Sequence, residues 1–211
     1  MTLTNNTAKT LIFPLLLILG LTIGGNAQAQ IGIAYFSGGC FWCTEHDFEK
    51  INGVKEVISG YMGGHVENPT YEAVASGRTG HYEVVQVIYV SDIVGYQNLL
   101  SAFWRMHDPS DGEGSFCDRG QQYSTAAFYA DDNQKKLLMG AIEALNAAGK
   151  FNRPVATKIL PQSDFTPAEA YHQDYASRNP VRYRYYRHRC GRDQFISKTW
   201  AGDDRLYQSE Q

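Results

Sequence analysis

The chain has 211 residues, 43% hydrophobic and 19% charged, which is enough apolar material for one globular domain with a real core. A formal net charge of −3 gives no electrostatic basis for binding nucleic acid or an anionic membrane surface. Four cysteines (Cys40, Cys43, Cys117 and Cys190) are too few for a disulfide-stapled miniature fold, and a chain of this length does not need one.

In chain order, residues 1–29 read as a secretory signal. Lys9 is followed by a nearly continuous apolar segment, Leu11 to Ile23, and then by Ala27-Gln28-Ala29, an A-x-A cleavage site before Gln30. The apolar run is short for a membrane span. The expectation is an exported, periplasmic protein with no stable membrane association, whose residues 30–211 form one domain. A working thiol in that oxidising compartment needs a dedicated reductant.

A short apolar run, Ile31 to Phe36, predicts a strand. Gly38-Gly39-Cys40-Phe41-Trp42-Cys43-Thr44-Glu45 follows, and the spacing of Phe41, Trp42, Phe48 and Ile51 predicts a helix. Cys40 therefore falls where strand turns into helix. Free N–H groups at a helix start stabilise an anion, so its thiol is expected below the free value of about 8.5. A lone cysteine would read as a small buried hydrophobe. Two at CxxC spacing, after a strand and glycines, point to a nucleophilic or redox thiol. Phe41 and Trp42 are core residues on their own account; beside a reactive thiolate they also suit the walls of an apolar pocket.

Further on, Val54 to Tyr61 reads as a strand, Tyr71 to Ala75 as a short helix and Tyr82 to Val90 as the clearest strand, with Glu83 at its start. Tyr96 to Met106 has helical spacing. Asp108 to Gln122 is a long loop, and loops of that length are more often functional than not. A strand over Tyr123 to Tyr129, a helix from Asp131 to about Ala148 and a strand over Val155 to Leu160 follow, then a helix opened by Thr166-Pro167 and running to Asp174. From Asn179-Pro180 the tail, about residues 179–211, reads as irregular. The whole is an α+β pattern, a single domain with a mixed or antiparallel sheet and flanking helices.

The set that can carry chemistry is Cys40 with Glu83, Tyr71, Tyr123 and Asp118. A thiolate attacking an oxidised substrate needs a proton donor for the departing oxygen. A carboxyl group in an apolar pocket keeps its proton near neutral pH, and phenols donate hydrogen bonds readily. The six histidines show no metal-ligand spacing, and with a single CxxC no zinc site or other cofactor is expected. Val181 to Arg189 interleaves aromatics with arginines as single-strand nucleic-acid binders do. In an acidic chain the favoured reading is a tail whose tyrosines pack while its arginines reach water.

Several stretches together resemble the type A peptide methionine sulfoxide reductases. They are Gly39-Cys40-Phe41-Trp42, Gly60-Tyr61-Met62-Gly63-Gly64, Asn68-Pro69-Thr70-Tyr71, Gly80-His81-Tyr82-Glu83, Phe103-Trp104 through His107-Asp108-Pro109, and Asp118-Arg119-Gly120-Gln121-Gln122-Tyr123. The resemblance implies a ferredoxin-like split β-α-β core and reduction of methionine-S-sulfoxide, free or in oxidised proteins. It implies Cys40 as nucleophile, Phe41 and Trp42 receiving the substrate methyl, and Glu83, Tyr71 and Tyr123 handling the oxygen with Asp118 in support. It also implies a sulfenic acid on Cys40 and an intramolecular disulfide opened by a thioredoxin-type reductant; the chain is taken as a monomer. The sequence departs from the commonest family pattern at Cys43 and Cys117. Three thiols are thus open as the resolving residue. Cys43, one helical turn on, stands slightly ahead of Cys190 in the tail, a position from which the family often resolves, and Cys117 comes third. The competing readings are a thiol–disulfide oxidoreductase using Cys40 and Cys43, and a zinc-stabilised binding module.

Overall fold

The computed structural model describes Met1, Thr2 and residues 29–201. The expected signal segment, apart from its ends, and the last ten residues lie outside the described residues.

Four strands form the centre of the sheet. β1 (Ile31–Ser37) leads through α1 (Phe41–Phe48) to β2 (Val54–Met62). After α2 (Tyr71–Ala75), β3 (Tyr82–Val90) inserts between them, antiparallel to both, with Phe36 opposite Val85 and Tyr61 opposite Glu83. β1-α1-β2 is therefore a split β-α-β unit. The second split unit runs from β3 through α3 (Tyr96–Phe103) to β6 (Ala126–Tyr129), which pairs antiparallel with the other edge of β1. This is the ferredoxin-like arrangement that the resemblance implies. A two-stranded hairpin, β4 (Gly114–Ser115) with β5 (Asp118–Arg119), and one 3₁₀ turn, Gln121–Tyr123, fill the loop before β6.

β6 continues through α4 (Asp132–Ala147) into β7 (Lys158–Pro161), which pairs with it in parallel and makes the sheet mixed. α4 begins where the side chain of Asp131 accepts from Gln134 N and Gln134 reaches back to Ala130 N, a reciprocal cap. The far edge is β8 (Thr166–Pro167), paired with Gly60 and Tyr61, so the order is β7-β6-β1-β3-β2-β8. The chain order of strands and helices makes this the single α+β domain expected from the sequence. The core lies under α1 and α3, where Phe36 stacks on Phe48 at 5.0 Å and on Phe103 at 4.8 Å.

Two readings are corrected. Thr166-Pro167 does not start a helix: Ala168 N donates to Ser59 O, and this stretch docks on the edge of β2 as a strand. A proline at that edge costs no ladder bond inside the sheet. The tail is not irregular either. After the single turn α5 (Tyr175–Arg178) come α6 (Pro180–Arg189) and α7 (Arg192–Thr199). Pro180 sits at the helix start, where its missing N–H costs nothing. The pattern was hard to see because α6 buries only Tyr183 and Arg187, and Arg187 is polar.

Candidate active site

β1 ends at Ser37, and Gly38-Gly39 carry the chain into α1. Gly39 has φ +91, and a side chain there would run into Ser115 of the β4–β5 hairpin. Arg192 of α7 ties this turn down from below: Nη2 donates to Gly38 O at 3.0 Å and Nη1 to Met106 O at 2.6 Å. Cys40 is thereby fixed as the residue before the helix, 5% exposed.

Glu83 reaches the same helix start from β3. Its Oε2 accepts from Phe41 N at 2.9 Å, and the residue is 2% exposed. Burial drives its carboxyl well above the ordinary range, and the negative charge of Asp118 adds to that. Both effects favour the neutral acid, one of whose oxygens is held by the backbone. Tyr71 from α2 and Tyr123 from the 3₁₀ turn are half-buried phenols that sense both Glu83 and Cys40. Burial pushes Tyr71 up to about 12 and Tyr123 higher still, so both remain hydroxyl donors. Asp118, from β5, is also raised by burial, and Tyr186 of α6 donates a short hydrogen bond to its Oδ2. All five residues singled out in the sequence thus converge. The open cleft along the β2 edge, lined by residues such as Glu49, Val57, Gln173 and Asp174, contains none of them.

The charge on the thiols is distributed differently from the expectation. Cys40 is raised, not lowered: burial is the largest cause, followed by the hydrogen bond with Cys43 and then by Glu83 and Asp118. Those effects outweigh a helix start of partial positive charge. Cys43, 1% exposed, is lowered to about 7, first by the hydrogen bond with Cys40 and then, against its own burial, by Arg192 and Arg187. The two thiols are hydrogen-bonded to each other, and Arg192 and Arg187 favour the charged form of Cys43.

Cys117 and Cys190 are joined to each other, with Cα atoms 5.1 Å apart. In this arrangement neither is a free thiol. The end of α6 brings Cys190 against the β4–β5 hairpin that carries Cys117. Cys40 and Cys43 remain free.

Trp42 is walled in by residues the sequence reading did not single out. Tyr175 stacks flat on it at 3.7 Å, Tyr186 meets it edge-on at 6.1 Å, and His172 accepts a hydrogen bond from its indole N–H at 3.0 Å. Phe41 is a core residue, 6.4 Å from Tyr71 and 5.1 Å from His172. The only hint was the aromatic density of Tyr171-His172-Gln173-Asp174-Tyr175. In the arginine-rich segment Tyr183 packs and Arg182, Arg184 and Arg189 reach water as expected. Arg187 is the exception. It is buried, bonded to Asp47 at 2.9 Å and Tyr183 at 3.0 Å, and locks α6 to α1 one turn beyond Cys43.

Comparison with known proteins gives one consistent result. The family described as "Peptide methionine sulfoxide reductase" matches residues 32–204. The peptide methionine sulfoxide reductase MsrA of Halalkalibacterium halodurans is 50% identical over 174 residues, 82% of this chain and 99% of its own. The MsrA of Bacillus licheniformis is 47% identical over 169 residues, 80% of this chain and 93% of its own. Among solved structures, Mxr1 of Saccharomyces cerevisiae in reduced form is similar with a TM-score of 0.67 and 32% identity, covering 72% of this chain and 87% of that one. Methionine sulfoxide reductase A of Corynebacterium diphtheriae is similar with a TM-score of 0.65 and 31% identity, covering 74% and 78%.

Proposed function

We propose, from the premise that this chain belongs to the peptide methionine sulfoxide reductase family, that it reduces methionine-S-sulfoxide, free or in proteins, at Cys40. The observation that carries the mechanism is the buried Glu83 carboxyl bonded to the backbone N of Phe41, the residue that follows Cys40. The sulfur of Cys40 attacks the sulfoxide sulfur as thiolate, its proton passing to Cys43. Glu83 gives its proton to the sulfoxide oxygen while Tyr71 and Tyr123 hydrogen-bond it. The oxygen ends on Cys40 as sulfenic acid, so the cysteine is oxidised by two electrons and the substrate leaves as thioether. Phe41 and Trp42 supply an apolar seat for the methyl group.

In the next step Cys43 gives the proton it took from Cys40 to the Glu83 carboxylate left by the first step, and attacks the Cys40 sulfenic sulfur as thiolate. Hydroxide leaves and takes a proton to become water, and a Cys40–Cys43 disulfide remains. Cys43 is the free thiol hydrogen-bonded to Cys40, and Arg187 and Arg192 favour its charged form. A thioredoxin-type dithiol then returns the pair to its reduced state, and the export reading of residues 1–29 belongs to the same proposal. The alternative of disulfide exchange with protein substrates at Cys40 and Cys43 fits less well, because the family match over residues 32–204 is to a sulfoxide reductase. A zinc role fits less well too, because two of the four cysteines are spent on a disulfide.

The test is incubation of the purified protein and dithiothreitol with each epimer of a methionine sulfoxide peptide. Consumption of the S epimer alone is expected; consumption of neither, with disulfide exchange intact, would reverse the assignment. The resolving step has its own readout. One equivalent of substrate without reductant should give a Cys40–Cys43 bond by mass spectrometry, with Cys117–Cys190 untouched. Cys43→Ser should instead accumulate the sulfenic acid. A first-formed bond from Cys40 to Cys190 would put the tail cysteine back in the lead.

A further inference from the structure

His172 stands at the junction of the two halves of the site. Its Nδ1 faces the indole N–H of Trp42 at 3.0 Å. An indole nitrogen only donates, so Nδ1 carries no proton and the ring proton sits on Nε2. That Nε2–H is buried with no partner, and the residue is 2% exposed. A buried donor left unpaired is unfavourable, so the tautomer is held by the bond on the other side of the ring. The ring also lies 4.2 Å from Tyr71 and 5.1 Å from Phe41. Burial lowers the basicity of His172, in keeping with a neutral ring.

Resting on the reading of the site as a sulfoxide reductase, we propose that His172 is a positioning residue that fixes the Trp42 indole relative to Tyr71. The wall that seats the methyl group and the phenol that meets the oxygen are then set by one ring between them. Discrimination at sulfur depends on holding methyl and oxygen sites at a fixed separation. A small misplacement of one wall costs binding of the correctly oriented substrate. His172 itself touches neither reacting atom, so its loss should fall on KM.

The experiment compares His172→Phe, which keeps a ring and removes the acceptor, with His172→Asn, whose Oδ1 takes the place of Nδ1. In His172→Phe, KM for an S-epimer peptide should rise on the order of 10- to 100-fold with kcat within about three-fold. His172→Asn should recover most of that loss. In a Trp42→Phe background, His172→Phe should add less than about two-fold, because the shared bond is already gone. The spectroscopic readout is the indole N–H resonance of Trp42, one of three tryptophans, identified by its disappearance in Trp42→Phe. It should move in His172→Phe and stay near its place in His172→Asn. If His172→Phe does not fold, His172→Gln, whose amide extends to the position of Nε2, replaces it in every comparison. An unmoved KM, an undiminished loss in the Trp42→Phe background, or a His172→Asn variant as poor as His172→Phe would overturn the proposal. Wild-type protein that reduces neither epimer would instead defeat the functional reading beneath it.

Discussion

Cys40→Ser is expected to lose sulfoxide reduction by more than about 1,000-fold, because the nucleophile is the group on which every other part of the site converges. A serine hydroxyl stays protonated at neutral pH, and oxygen attacks a sulfoxide sulfur poorly. Cys40 is small and replaces its own volume closely, and its backbone carbonyl, which accepts from Cys43 N and Thr44 N, is unaffected by the change. Thermal stability should therefore stay near that of the parent, so a dead enzyme cannot be blamed on unfolding. A second consequence follows from the hydrogen bond between the two thiols. Cys43 is lowered largely by the hydrogen bond with Cys40, and Cys40 is raised by burial and by that same bond. In Cys40→Ser, a hydroxyl still donates to Cys43 but less acidically. Cys43 should titrate nearer the ordinary thiol range, which the pH dependence of its alkylation by iodoacetamide will show. Single-turnover reduction retained within a few-fold would remove Cys40 from the nucleophile's role.

Much of this site could be read in the sequence because its parts sit at places where short-range chemistry is explicit. A glycine pair between a strand and a helix marks where Cys40 lies, and Glu83 stands at the start of the most β-prone segment in the chain. Pairing of Tyr61 with Glu83 across β2 and β3 follows once those strands are neighbours. What escaped was long-range burial. No local pattern shows that Cys40 is enclosed among Tyr175, Tyr183 and Tyr186, residues more than a hundred positions away, and that enclosure reverses the sign of its shift. The C-terminal helices escaped for a related reason. Their buried face carries Arg187 and Arg192, each satisfied by distant partners, Asp47 for the first and the carbonyls of Gly38 and Met106 for the second. A hydrophobic period cannot report a face that buries guanidinium groups. The Cys117–Cys190 pairing is likewise a matter of tertiary approach, since 73 residues separate the two.

Glu83→Gln is the sharper test of how oxygen leaves. Glutamine keeps the shape, and its amide oxygen still accepts from Phe41 N, so the helix start should hold its geometry. What it lacks is a proton to give. The single-turnover rate should fall roughly 100- to 10,000-fold, the usual range for a lost general acid. Tyr71→Phe and Tyr123→Phe should each cost less, since each removes one of two phenols while Glu83 still delivers the proton. The pH dependence separates acid from mere hydrogen-bond donor. Burial raises the Glu83 pKa, so the protonated form persists to higher pH than in an ordinary carboxylate and is lost as pH climbs through that raised value. Parent protein should therefore lose rate on the alkaline side, whereas Glu83→Gln, having no proton to lose there, should be slow and free of that limb. Chemical complementation offers the converse check. If Glu83 serves only to hold Phe41 N, Glu83→Gln should work at nearly the parental rate, since that bond survives the change. A parental rate, or an alkaline limb unchanged in the variant, would mean that the oxygen takes its proton from Tyr71, Tyr123 or water instead.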